Sequence, residues 1–507
     1  MRKTDRPSRI ICPLTSSTVE QMLIDRQSAV DAGADTIEFR LDLLENRPSE
    51  QQLEQLIEQC PVESIVTCRS LEQGGRFRFN EFERLELLHR AAVYQPDYID
   101  IEQDVDPEDW PEAKIILSYH DFEGVPNNLE SLVAKLEMSR ADVNKIAYTA
   151  TGPQDAFRAL DVIRACQKPT ISLAMGEYGA ISRLLAGKVG AFGTFAALSQ
   201  GAESAPGQPT IEQLRNVYRF SRVRPDTTLF GVVGSPIAHS MSPAIHNAAF
   251  AESGINGLYV PIHVPPGEKA FITFMTALIT RNWLQWRGLS ITLPHKEHAL
   301  KLVEAVNCDK LALDIGAVNT LTFEPDGRIS GDNTDYEAAI RCLCAAMNID
   351  ADGLKGRRIA ILGAGGVARA LVAALTQREA EVTIYNRSVG KASRLAAEFR
   401  CKFSDLELAG TDRNEIVINC TPVGMAPDTA ATPLNYKPPG LKVVFDTIYN
   451  PIETQLLKNA KASGCLTVSG VEMFVNQGVA QFERWTGRPA PRRTMRNVVL
   501  DRLKMQE

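Results

Sequence analysis

The 507-residue chain lacks several features that mark special classes of protein. Its ten cysteines form no Cys-x-x-Cys pair, so we expect reduced thiols rather than a redox motif or a paired-cysteine metal site. No uninterrupted apolar run is long enough to span a bilayer, and the N-terminal residues lack the apolar stretch of a signal peptide. We therefore expect a cytoplasmic protein without a membrane partner, or a plastid protein if a transit peptide has been removed.

Long basic runs are also missing, and the net charge of −7 provides no field that would attract nucleic acid. The spacing of His295 and His298 could suit a metal, but no carboxylate-and-histidine motif surrounds them, so no metal is expected. What the chain does contain is an ordinary globular composition with 44% hydrophobic residues, enough for about two to four domains. The sequence does not indicate an oligomeric state.

One stretch combines an apolar strand, a glycine turn and the start of a helix. Residues 359–362 form a short run of apolar, mostly branched side chains, as expected of a buried parallel strand. Gly363, Gly365 and Ala368 follow at G-x-G-x-x-A spacing. This spacing lets the backbone approach a pyrophosphate and lets the helix start face the anion. A tight turn without a ligand would also need glycine, so the triad alone does not decide. The predicted cofactor contacts are Gly363, Ala364, Gly365, Gly366 and Val367.

The next predicted strand, residues 381–385, is followed by Asn386, Arg387 and Ser388, with Lys391 nearby. Sites for NAD carry an acidic residue at this place, which binds the ribose hydroxyls. Here the position is basic and hydroxylated, which suits a 2′-phosphate and predicts NADP. The alternative is that two surface cations merely open a helix.

Eight strand candidates separated by helical segments occupy the first half of the chain. Eight β/α units in roughly 220 residues fit a closed (β/α)8 barrel, which gathers the carboxyl ends of its strands around one mouth. The strands are predicted at residues 9–13, 36–40, 64–69, 98–102, 114–119, 143–147, 170–174 and 191–195. Five polar residues on four of these strands fall on or just past the strand ends: Glu38, Arg40, Arg69, His120 and Lys145.

Lys145 interrupts an apolar strand, so we expect its amine to point into the barrel, where desolvation and nearby arginines favour the neutral form. A neutral amine attacks ketones to form a Schiff base, and the iminium then acidifies the adjacent carbon. His120 is a candidate proton carrier because imidazole titrates near neutrality. A structural ion pair is the alternative for a lone buried lysine, but the accompanying polar residues favour catalysis.

A new segment begins after an aperiodic, proline-containing stretch at residues 218–226. Ser240 and Ser242 precede a proline-started helix, where hydroxyls suit a carboxylate near the helix dipole, and we expect Ser242 to be the N-cap. Further on, Lys296 follows a predicted strand, and Asp335 lies ahead of the glycine-turn unit. A lysine and an aspartate together can pass a proton to a carbonyl oxygen while hydride arrives from nicotinamide.

Several short motifs of the first half form a recognisable set: Glu38-Phe39-Arg40, Thr67-Cys68-Arg69 with Gly74-Gly75, His120-Asp121, Lys145-Ile146, Ile181-Ser182-Arg183 and Ser204-Ala205-Pro206-Gly207-Gln208. The set resembles type I 3-dehydroquinate dehydratase across essentially this whole half. The resemblance implies that Lys145 forms an imine with the substrate ketone, that His120 shuttles the proton as water is eliminated, and that Arg183 clamps the carboxylate. It also implies that the following residues bind hydroxyls or order the site: Glu38, Arg40, Arg69, Ser204 and Gln208.

One position departs from that family. Its members commonly carry Glu immediately before the Gly-Gly pair, where it helps orient the histidine, whereas this chain has Gln73 there and Glu72 one position earlier. A glutamine can hold a hydrogen bond but cannot stabilise an imidazolium by charge. Either Glu72 substitutes through a loop shift or the first reaction is slower, and we favour the slower reaction.

A second set of motifs lies at residues 234–243, 289–296, 316–320, 331–335, 363–366, 386–388 and 470–477. This set resembles shikimate dehydrogenase throughout residues 228–507. The resemblance implies Lys296 and Asp335 as the catalytic pair, and NADPH on the glycine turn with its 2′-phosphate near Asn386, Arg387 and Lys391. The implied substrate contacts are Ser240, Ser242, Thr292, Asn319 and Gln477. Tyr336 stands where glycine is common, and we expect it to crowd the cofactor side while leaving the catalytic pair intact.

The two resemblances together imply a bifunctional enzyme that converts 3-dehydroquinate through 3-dehydroshikimate to shikimate. The expected α/β architecture is an N-terminal (β/α)8 barrel followed by a two-domain α/β unit with a C-terminal Rossmann-type NADP-binding domain. The expected boundaries are 1–222 for the barrel, 228–335 for the substrate domain, completed by helices at about 473–507, and 336–472 for the NADP domain. Two alternatives are a second domain that acts on quinate and a metabolite-sensing regulator built on an inactive enzyme scaffold.

Overall fold

The computed structural model describes residues 7–77, 80–238, 240–434 and 438–505. These residues form two compact units: the first joins the chain up to residue 238 with Asn256–Trp286, and the second joins Ser240–Ile255 with the chain from Arg287 onward. Residues 1–6 of the predicted barrel domain and residues 506 and 507 of the predicted C-terminal helices lie outside the described residues. Within those described, no helix is both long enough and apolar enough to cross a membrane.

Strands and helices alternate along most of the chain. The strands are β1 Arg9–Leu14, β2 Thr36–Arg40, β3 Glu63–Thr67, β4 Tyr98–Glu102, β5 Ile115–Asp121, β6 Val143–Thr149, β7 Thr170–Met175, β8 Gly193–Phe195, β9 Thr228–Gly234, β10 Gly257–His263, β11 Trp286–Ile291, β12 Thr320–Phe323, β13 Ile329–Asp332, β14 Arg358–Leu362, β15 Glu381–Tyr385, β16 Lys402–Ser404, β17 Ile416–Asn419, β18 Val443–Asp446 and β19 Leu466–Val468. The helices are α1 Val19–Asp31, α2 Glu50–Ile57, α3 Glu81–Ala92, α4 Leu129–Met138, α5 Gln154–Ala165, α6 Ala180–Leu184, α7 Ser242–Glu252, α8 Glu268–Ile279, α9 Lys296–Leu302, α10 Lys310–Ile315, α11 Thr334–Met347, α12 Gly366–Gln377, α13 Val389–Phe399, α14 Gln455–Ala462, α15 Gly470–Thr486 and α16 Arg492–Lys504.

The first eight strands are parallel and follow the order β7-β6-β5-β4-β3-β2-β1-β8. β8 pairs with β1, and the Phe192 N–H just before β8 donates to the Thr170 carbonyl at the start of β7 at 2.9 Å, so the ring is nearly closed. Buried aliphatic side chains fill it, among them Ile11, Ile65 and Ile116. The expected barrel is confirmed, and its geometry brings the strand ends to one mouth.

The first unit also contains β9, β10 and α8. β9 and β10 pair in parallel, and α8 packs on the barrel helix α5, where the rings of Phe157 and Phe274 stack with centroids 5.7 Å apart. Just beyond α8, Arg281 forms an ion pair with Asp161 of α5 at 2.6 Å. These contacts fix α8 against one side of the barrel.

A buried lysine holds the segment between the barrel and β9. Lys188 Nζ donates to the carbonyls of Pro225 and Thr227 at 2.8 and 2.7 Å and to Gln285 Oε1 at 3.0 Å. The residue is 3% exposed, and burial lowers the pKa of its amine to about 8. The connection is therefore anchored to the barrel by one ammonium group.

The second unit contains a six-stranded parallel sheet in the order β16-β15-β14-β17-β18-β19. In chain order this is 3-2-1-4-5-6, the strand order of a dinucleotide-binding fold, and the expected Rossmann-type domain is confirmed. A short antiparallel run of β11, β12 and β13 belongs to the same unit. Helix α15 packs closely on α7, because a Cβ at Gly478 would lie only 2.8 Å from Ile245 Cδ1.

Candidate active sites

A cavity of about 360 Å³ occupies the mouth of the barrel. The eight residues predicted for the first half all line it: Glu38, Arg40, Arg69, His120, Lys145, Arg183, Ser204 and Gln208. They come from different strands and loops, so the (β/α)8 topology is what gathers them. Apolar walls from Leu173, Met175 and Phe195 complete the cavity.

Lys145 lies between two carboxylates in this cavity and is 5% exposed. Its Nζ is 2.6 Å from Asp100 Oδ2 and 3.4 Å from Glu38 Oε1, and the centroid of the Phe195 ring is 4.6 Å away. The neutral amine expected from the sequence stays a prediction. The two carboxylates fix the position of the amine nitrogen in the cavity by direct contact.

A charged network that the sequence did not reveal surrounds this lysine. Arg69 contacts Asp100 at 2.8 Å, Glu102 at 3.0 Å and Ser118 at 2.6 Å, and the Ser118 hydroxyl donates to Asp100 at 2.6 Å. Buried Arg84 adds a second guanidinium 2.8 Å from Glu102. Burial would raise the pKa of Asp100, but the cations beside it outweigh burial and hold that pKa below its ordinary value. Arg69 thus orders the site through buried partners.

The missed signal lies in the sequence of β4, Tyr-Ile-Asp-Ile-Glu. Asp100 and Glu102 are two residues apart, which puts both on one face of the strand. Two carboxylates on one face of a buried strand require cations nearby, because unpaired buried charges are costly. This alternation could have predicted the network before the structure.

Gln73, rather than Glu72, stands beside His120. Gln73 Oε1 accepts the His120 backbone N–H at 3.1 Å and lies 3.2 Å from the ring Nδ1. Glu72 lines a separate cleft, so a loop shift that substitutes Glu72 is not what the structure has. Burial and the nearby cations Arg69 and Lys145 hold the pKa of His120 well below its ordinary value. The imidazole is therefore neutral near pH 7 and can accept a proton.

Arg183 presents an unpaired guanidinium to the cavity. It lies on α6, is 1% exposed, and its Nε and Nη2 have no hydrogen-bond partner in the part of the chain that the structure describes. Burial lowers the pKa of the guanidinium to about 10, so it stays charged near neutrality. A buried cation with free donors is costly until an anion binds, and its planar fork matches a carboxylate.

The other predicted residues of this cavity have defined partners. Arg40 makes two hydrogen bonds of 2.8 Å to the buried Asp42, and Glu38 accepts the Thr67 hydroxyl at 2.8 Å. Gln208 Oε1 accepts the Ser204 backbone N–H at 2.9 Å, which fixes their shared loop. Side-chain orientation at the mouth is thus largely set before any ligand arrives.

The predicted catalytic pair of the second half is in direct contact. Lys296 Nζ donates to Asp335 Oδ2 at 2.6 Å, and the side chains are 23% and 17% exposed. Asn333 caps α11 by accepting the Asp335 backbone N–H at 3.2 Å, and the Val318 N–H donates to the Lys296 carbonyl at 3.0 Å. The pair therefore stands at the starts of α9 and α11, positioned by backbone contacts and still open to solvent.

The predicted substrate contacts of the second half lie on loops and helices of the same unit. Ser240 precedes α7, Ser242 begins it, Thr292 follows β11, Asn319 precedes β12, and Gln477 is half-buried on α15.

The expected N-cap at Ser242 is wrong. Met241 holds the N-cap position, Ser242 is the first residue of the helix, and no side chain caps it there. Ser240 Oγ instead accepts the Ser242 backbone N–H at 3.3 Å. Because Pro243 has no N–H, the sequence pattern could not separate these adjacent positions.

Asn319 holds the start of α11. Its Oδ1 accepts the Thr334 N–H at 2.8 Å, and its Nδ2 donates to Thr334 Oγ1 at 3.1 Å. Gln481, which the sequence did not single out, is buried one turn after Gln477, accepts the Ser290 hydroxyl at 2.8 Å and donates to Thr320 at 3.0 Å. Gln481 is therefore structural, whereas Gln477 is half-buried and its Nε2 donates to the Phe474 carbonyl at 3.0 Å.

The glycine turn has the geometry that a dinucleotide requires. Gly363 has a φ of +107°, in the region that disfavours other residues. A Cβ at Gly365 or Gly366 would meet no protein atom within 4 Å, so the space at the start of α12 is open. No side chain caps this helix, whose first N–H groups are left for an anion. Ala364 and Val367 complete the turn.

The basic positions follow the neighbouring strand. The pairing of Leu362 with Tyr385 puts the end of β15 beside the glycine turn. Asn386 Nδ2 donates to the Ser388 carbonyl at 2.9 Å, and both Arg387 and Lys391 are exposed. The glycine turn and the basic positions therefore lie side by side, at the carboxyl ends of the neighbouring strands β14 and β15.

Tyr336 has a partner of its own. Its hydroxyl donates to Asp309 Oδ2 at 3.2 Å, and its ring is partly buried against the core of the Rossmann-type domain. The side chain therefore joins α11 to the start of α10.

Comparison with known proteins identifies the family of the chain. Family models match at residues 10–225 (type I 3-dehydroquinase), 232–321 (shikimate dehydrogenase substrate binding domain), 345–425 (shikimate/quinate 5-dehydrogenase) and 470–500 (shikimate 5′-dehydrogenase C-terminal domain). A chloroplastic bifunctional 3-dehydroquinate dehydratase/shikimate dehydrogenase from Arabidopsis thaliana is 36% identical over 96% of this chain and 83% of its own length. The chain belongs to this bifunctional family.

Further similar proteins match one or both halves of the bifunctional dehydratase/dehydrogenase. A shikimate dehydrogenase (NADP(+)) from Methanosarcina barkeri is 42% identical over 55% of this chain and 99% of its own length. A solved structure of dehydroquinate dehydratase and shikimate dehydrogenase from S. pombe is 24% identical, with a TM-score of 0.45, and covers 98% of this chain and 99% of that one. The family expected from the motifs is confirmed by the Arabidopsis relative.

Proposed function

We propose how this bifunctional enzyme of the shikimate pathway divides two consecutive reactions between its sites. The barrel dehydrates 3-dehydroquinate to 3-dehydroshikimate, and the second site reduces that product to shikimate with NADPH. The observation that carries the assignment is one cavity that holds both a buried lysine and an unpaired buried arginine. We also propose that the predicted division into barrel, substrate and NADP domains describes the functional parts of the chain.

Lys145 is the proposed nucleophile of the barrel. Its amine, once it has lost a proton, attacks the ketone carbon, and the ketone oxygen leaves as water when the imine forms. The resulting iminium is a cation, so it keeps favourable contacts with Asp100 and Glu38, which the lysine nitrogen already touches. This arrangement stabilises the covalent intermediate rather than only the resting lysine.

His120 is the proposed proton carrier of the dehydration. Its neutral imidazole takes a proton from the carbon next to the iminium, and the neighbouring hydroxyl group leaves with a proton as water. Hydrolysis of the imine then frees Lys145 and the product. Gln73 orients the ring during this transfer through its contact with Nδ1.

The substrate carboxylate is assigned to Arg183, whose free donors are otherwise unmatched. A bidentate arginine–carboxylate pair fixes both position and orientation of a small ring, and orientation is a large part of catalysis. Glu38, Arg40, Ser204 and Gln208 are the proposed partners of the hydroxyl groups.

The second site is assigned to carbonyl reduction. When NADPH is bound, it supplies a hydride to the carbonyl carbon. Lys296 donates a proton to the oxygen as negative charge develops there, and Asp335 holds the ammonium in place at 2.6 Å. Ser240 and Ser242 bind the substrate carboxylate at the positive end of α7.

The NADP site is assigned to the glycine turn and the basic positions after β15. The open space before Gly365 fits a pyrophosphate, and Arg387 and Lys391 supply charge for a 2′-phosphate. The related proteins named shikimate dehydrogenase (NADP(+)) agree with this cofactor. A cytoplasmic location stays a prediction, and the name of the Arabidopsis relative places that protein in the chloroplast.

The direct test supplies 3-dehydroquinate and NADPH together and follows nicotinamide absorbance and shikimate formation. We expect NADPH oxidation with accumulation of shikimate. Oxidation that starts only after 3-dehydroshikimate is added would mean an inactive barrel site. No oxidation with either substrate would favour the regulator on an inactive scaffold, and faster NADP⁺ reduction with quinate than with shikimate would reassign the second site.

A further inference from the structure

His263 uses both of its ring nitrogens, although it lies in neither candidate site. It ends β10, with its Nδ1 2.8 Å from Glu177 Oε2 and its Nε2 3.0 Å from Ser235 Oγ. Its ring also contacts that of Tyr178, with centroids 4.9 Å apart. With a proton on Nδ1, the imidazole donates to the carboxylate and accepts the serine hydroxyl, so its two partners fix the tautomer.

The carboxylate partner belongs to the mouth of the barrel. Glu177 begins the short turn Glu177–Gly179, which runs directly into α6 and Arg183. This turn is itself anchored, because the Ser182 hydroxyl donates to the Gly179 carbonyl at 2.7 Å. A shift at Glu177 is therefore passed along a short, rigid path to the carboxylate-binding arginine.

The same turn supports the loop that carries Ser204 and Gln208. The Gly176 N–H donates to the Pro206 carbonyl at 3.0 Å, and a Cβ at Gly207 would lie 2.4 Å from the Gly176 carbonyl oxygen. Backbone contact this close leaves little freedom between turn and loop. Through its contact with Glu177, His263 is thus linked both to the helix of Arg183 and to the loop that carries Ser204 and Gln208.

The serine partner belongs to the reductase half. Ser235 is the first residue after β9 and opens the loop that leads to Ser240 and Ser242, the proposed carboxylate contacts. β9 and β10 pair with Gly234 opposite His263, and the Val264 N–H donates to the Gly234 carbonyl at 3.2 Å. The start of the serine loop is therefore held by a strand pair and by the imidazole.

We propose that His263 is a positioning residue for both reactions: it holds the carboxylate-binding element of the dehydratase through Glu177 and that of the dehydrogenase through Ser235. The proposal rests on the proposed function of the two sites. Because His263 does not line the barrel cavity, it acts through these neighbours and not on substrate. The Glu177 side chain is 73% exposed, so the effect is a modest change in substrate binding.

The test measures both half-reactions in the full chain, with 3-dehydroquinate for the first and 3-dehydroshikimate plus NADPH for the second. For His263→Ala we expect KM to rise about two- to fivefold in both reactions, the size typical of a partly exposed pair, with kcat little changed. Glu177→Ala should raise only the first KM, and Ser235→Ala only the second. His263→Gln, which keeps a donor and an acceptor, should raise both KM values less than His263→Ala does.

Asp161→Asn is the matched control, because it breaks the Arg281 ion pair on the same side of the barrel without touching either loop. It should leave both KM values unchanged. The proposal is overturned if His263→Ala changes neither KM, or if Asp161→Asn reproduces its effect, which would indicate general loosening of the packing. If His263→Ala folds poorly, Glu177→Ala and Ser235→Ala provide the test instead. The proposal is also overturned if Glu177→Ala does not raise KM for 3-dehydroquinate and Ser235→Ala does not raise KM for 3-dehydroshikimate. A parent protein that lacks either activity contradicts the proposed function instead.

Discussion

The two candidate sites differ in how deeply their lysine is buried and in how many charged groups surround it. The Lys145 side chain is 6% exposed and lies within a network of buried charges, whereas the Lys296 side chain is 23% exposed and pairs with Asp335. In the proposed mechanism the barrel lysine becomes a covalent iminium, a cation that the surrounding carboxylates stabilise. In the same proposal the reductase lysine only passes a proton and leaves room for both substrate and cofactor. The burial of each amine fits the chemistry proposed for it.

The sharpest way to break this comparison is a reciprocal pair of variants. Lys145→Ala should lower the dehydratase kcat by at least about a thousandfold, since the covalent route is lost, and leave the dehydrogenase unchanged. Lys296→Ala should lower the dehydrogenase kcat about a hundred- to ten-thousandfold and leave the dehydratase unchanged. Separate steady-state assays measure both.

Borohydride with 3-dehydroquinate provides the control for this pair. It should add mass to the parent protein and to Lys296→Ala, but not to Lys145→Ala. Dehydration by Lys145→Ala at the parent rate would show that no imine is needed.

The unpaired arginine offers the next largest effect. Arg183→Met should lower kcat/KM for 3-dehydroquinate by about thirtyfold or more, because the substrate carboxylate loses its charged partner. Arg183→Lys should keep part of the kcat/KM, because an ammonium group supplies the charge but not the two parallel donors of a guanidinium. Arg158→Met, which changes a partly exposed arginine of the same barrel, is a suitable control. An equal kcat/KM for the parent and Arg183→Met would show that the substrate carboxylate does not bind Arg183.

The cofactor prediction concerns the more open of the two sites. Arg387→Ala should raise KM for NADPH by about five- to tenfold and leave KM for NADH unchanged, because only NADPH carries the 2′-phosphate. Exposed Arg413 provides a control variant, Arg413→Ala, in the same domain. A parallel rise for NADH would show that Arg387 serves the fold of the loop and not the phosphate.

The smallest effect tests the departure from the family at Gln73. Because His120 acts as a base only when neutral, its pKa sets the acid limb of the dehydratase pH profile. A carboxylate at the Gln73 position would stabilise the imidazolium, so Gln73→Glu should move that limb to higher pH by roughly one unit. Gln73→Asn, which stays neutral, should leave it in place. The measurement is kcat/KM against pH, and an unshifted limb for Gln73→Glu would contradict the role given to His120.

The strands of the barrel and the residues of its mouth were predictable because strand periodicity and polar strand ends are local signals. The contacts of Lys145 were not, since its partners Asp100 and Glu38 are 45 and 107 positions away in sequence. The N-cap before α7 was missed for a local reason, because Ser240, Met241 and Ser242 all sit within one turn of Pro243. Topology brings distant charges together, and sequence patterns do not measure that distance.

Lys188 has a consequence for any attempt to separate the two activities. A fragment that ended at Arg222 would keep this buried amine and remove the three oxygen atoms it binds, which come from Pro225, Thr227 and Gln285. An isolated barrel would then carry an ammonium group at its cut edge without the protein acceptors that hold it in the full chain. Fragments designed for expression should therefore extend past Thr227 or replace Lys188 with an apolar residue such as methionine.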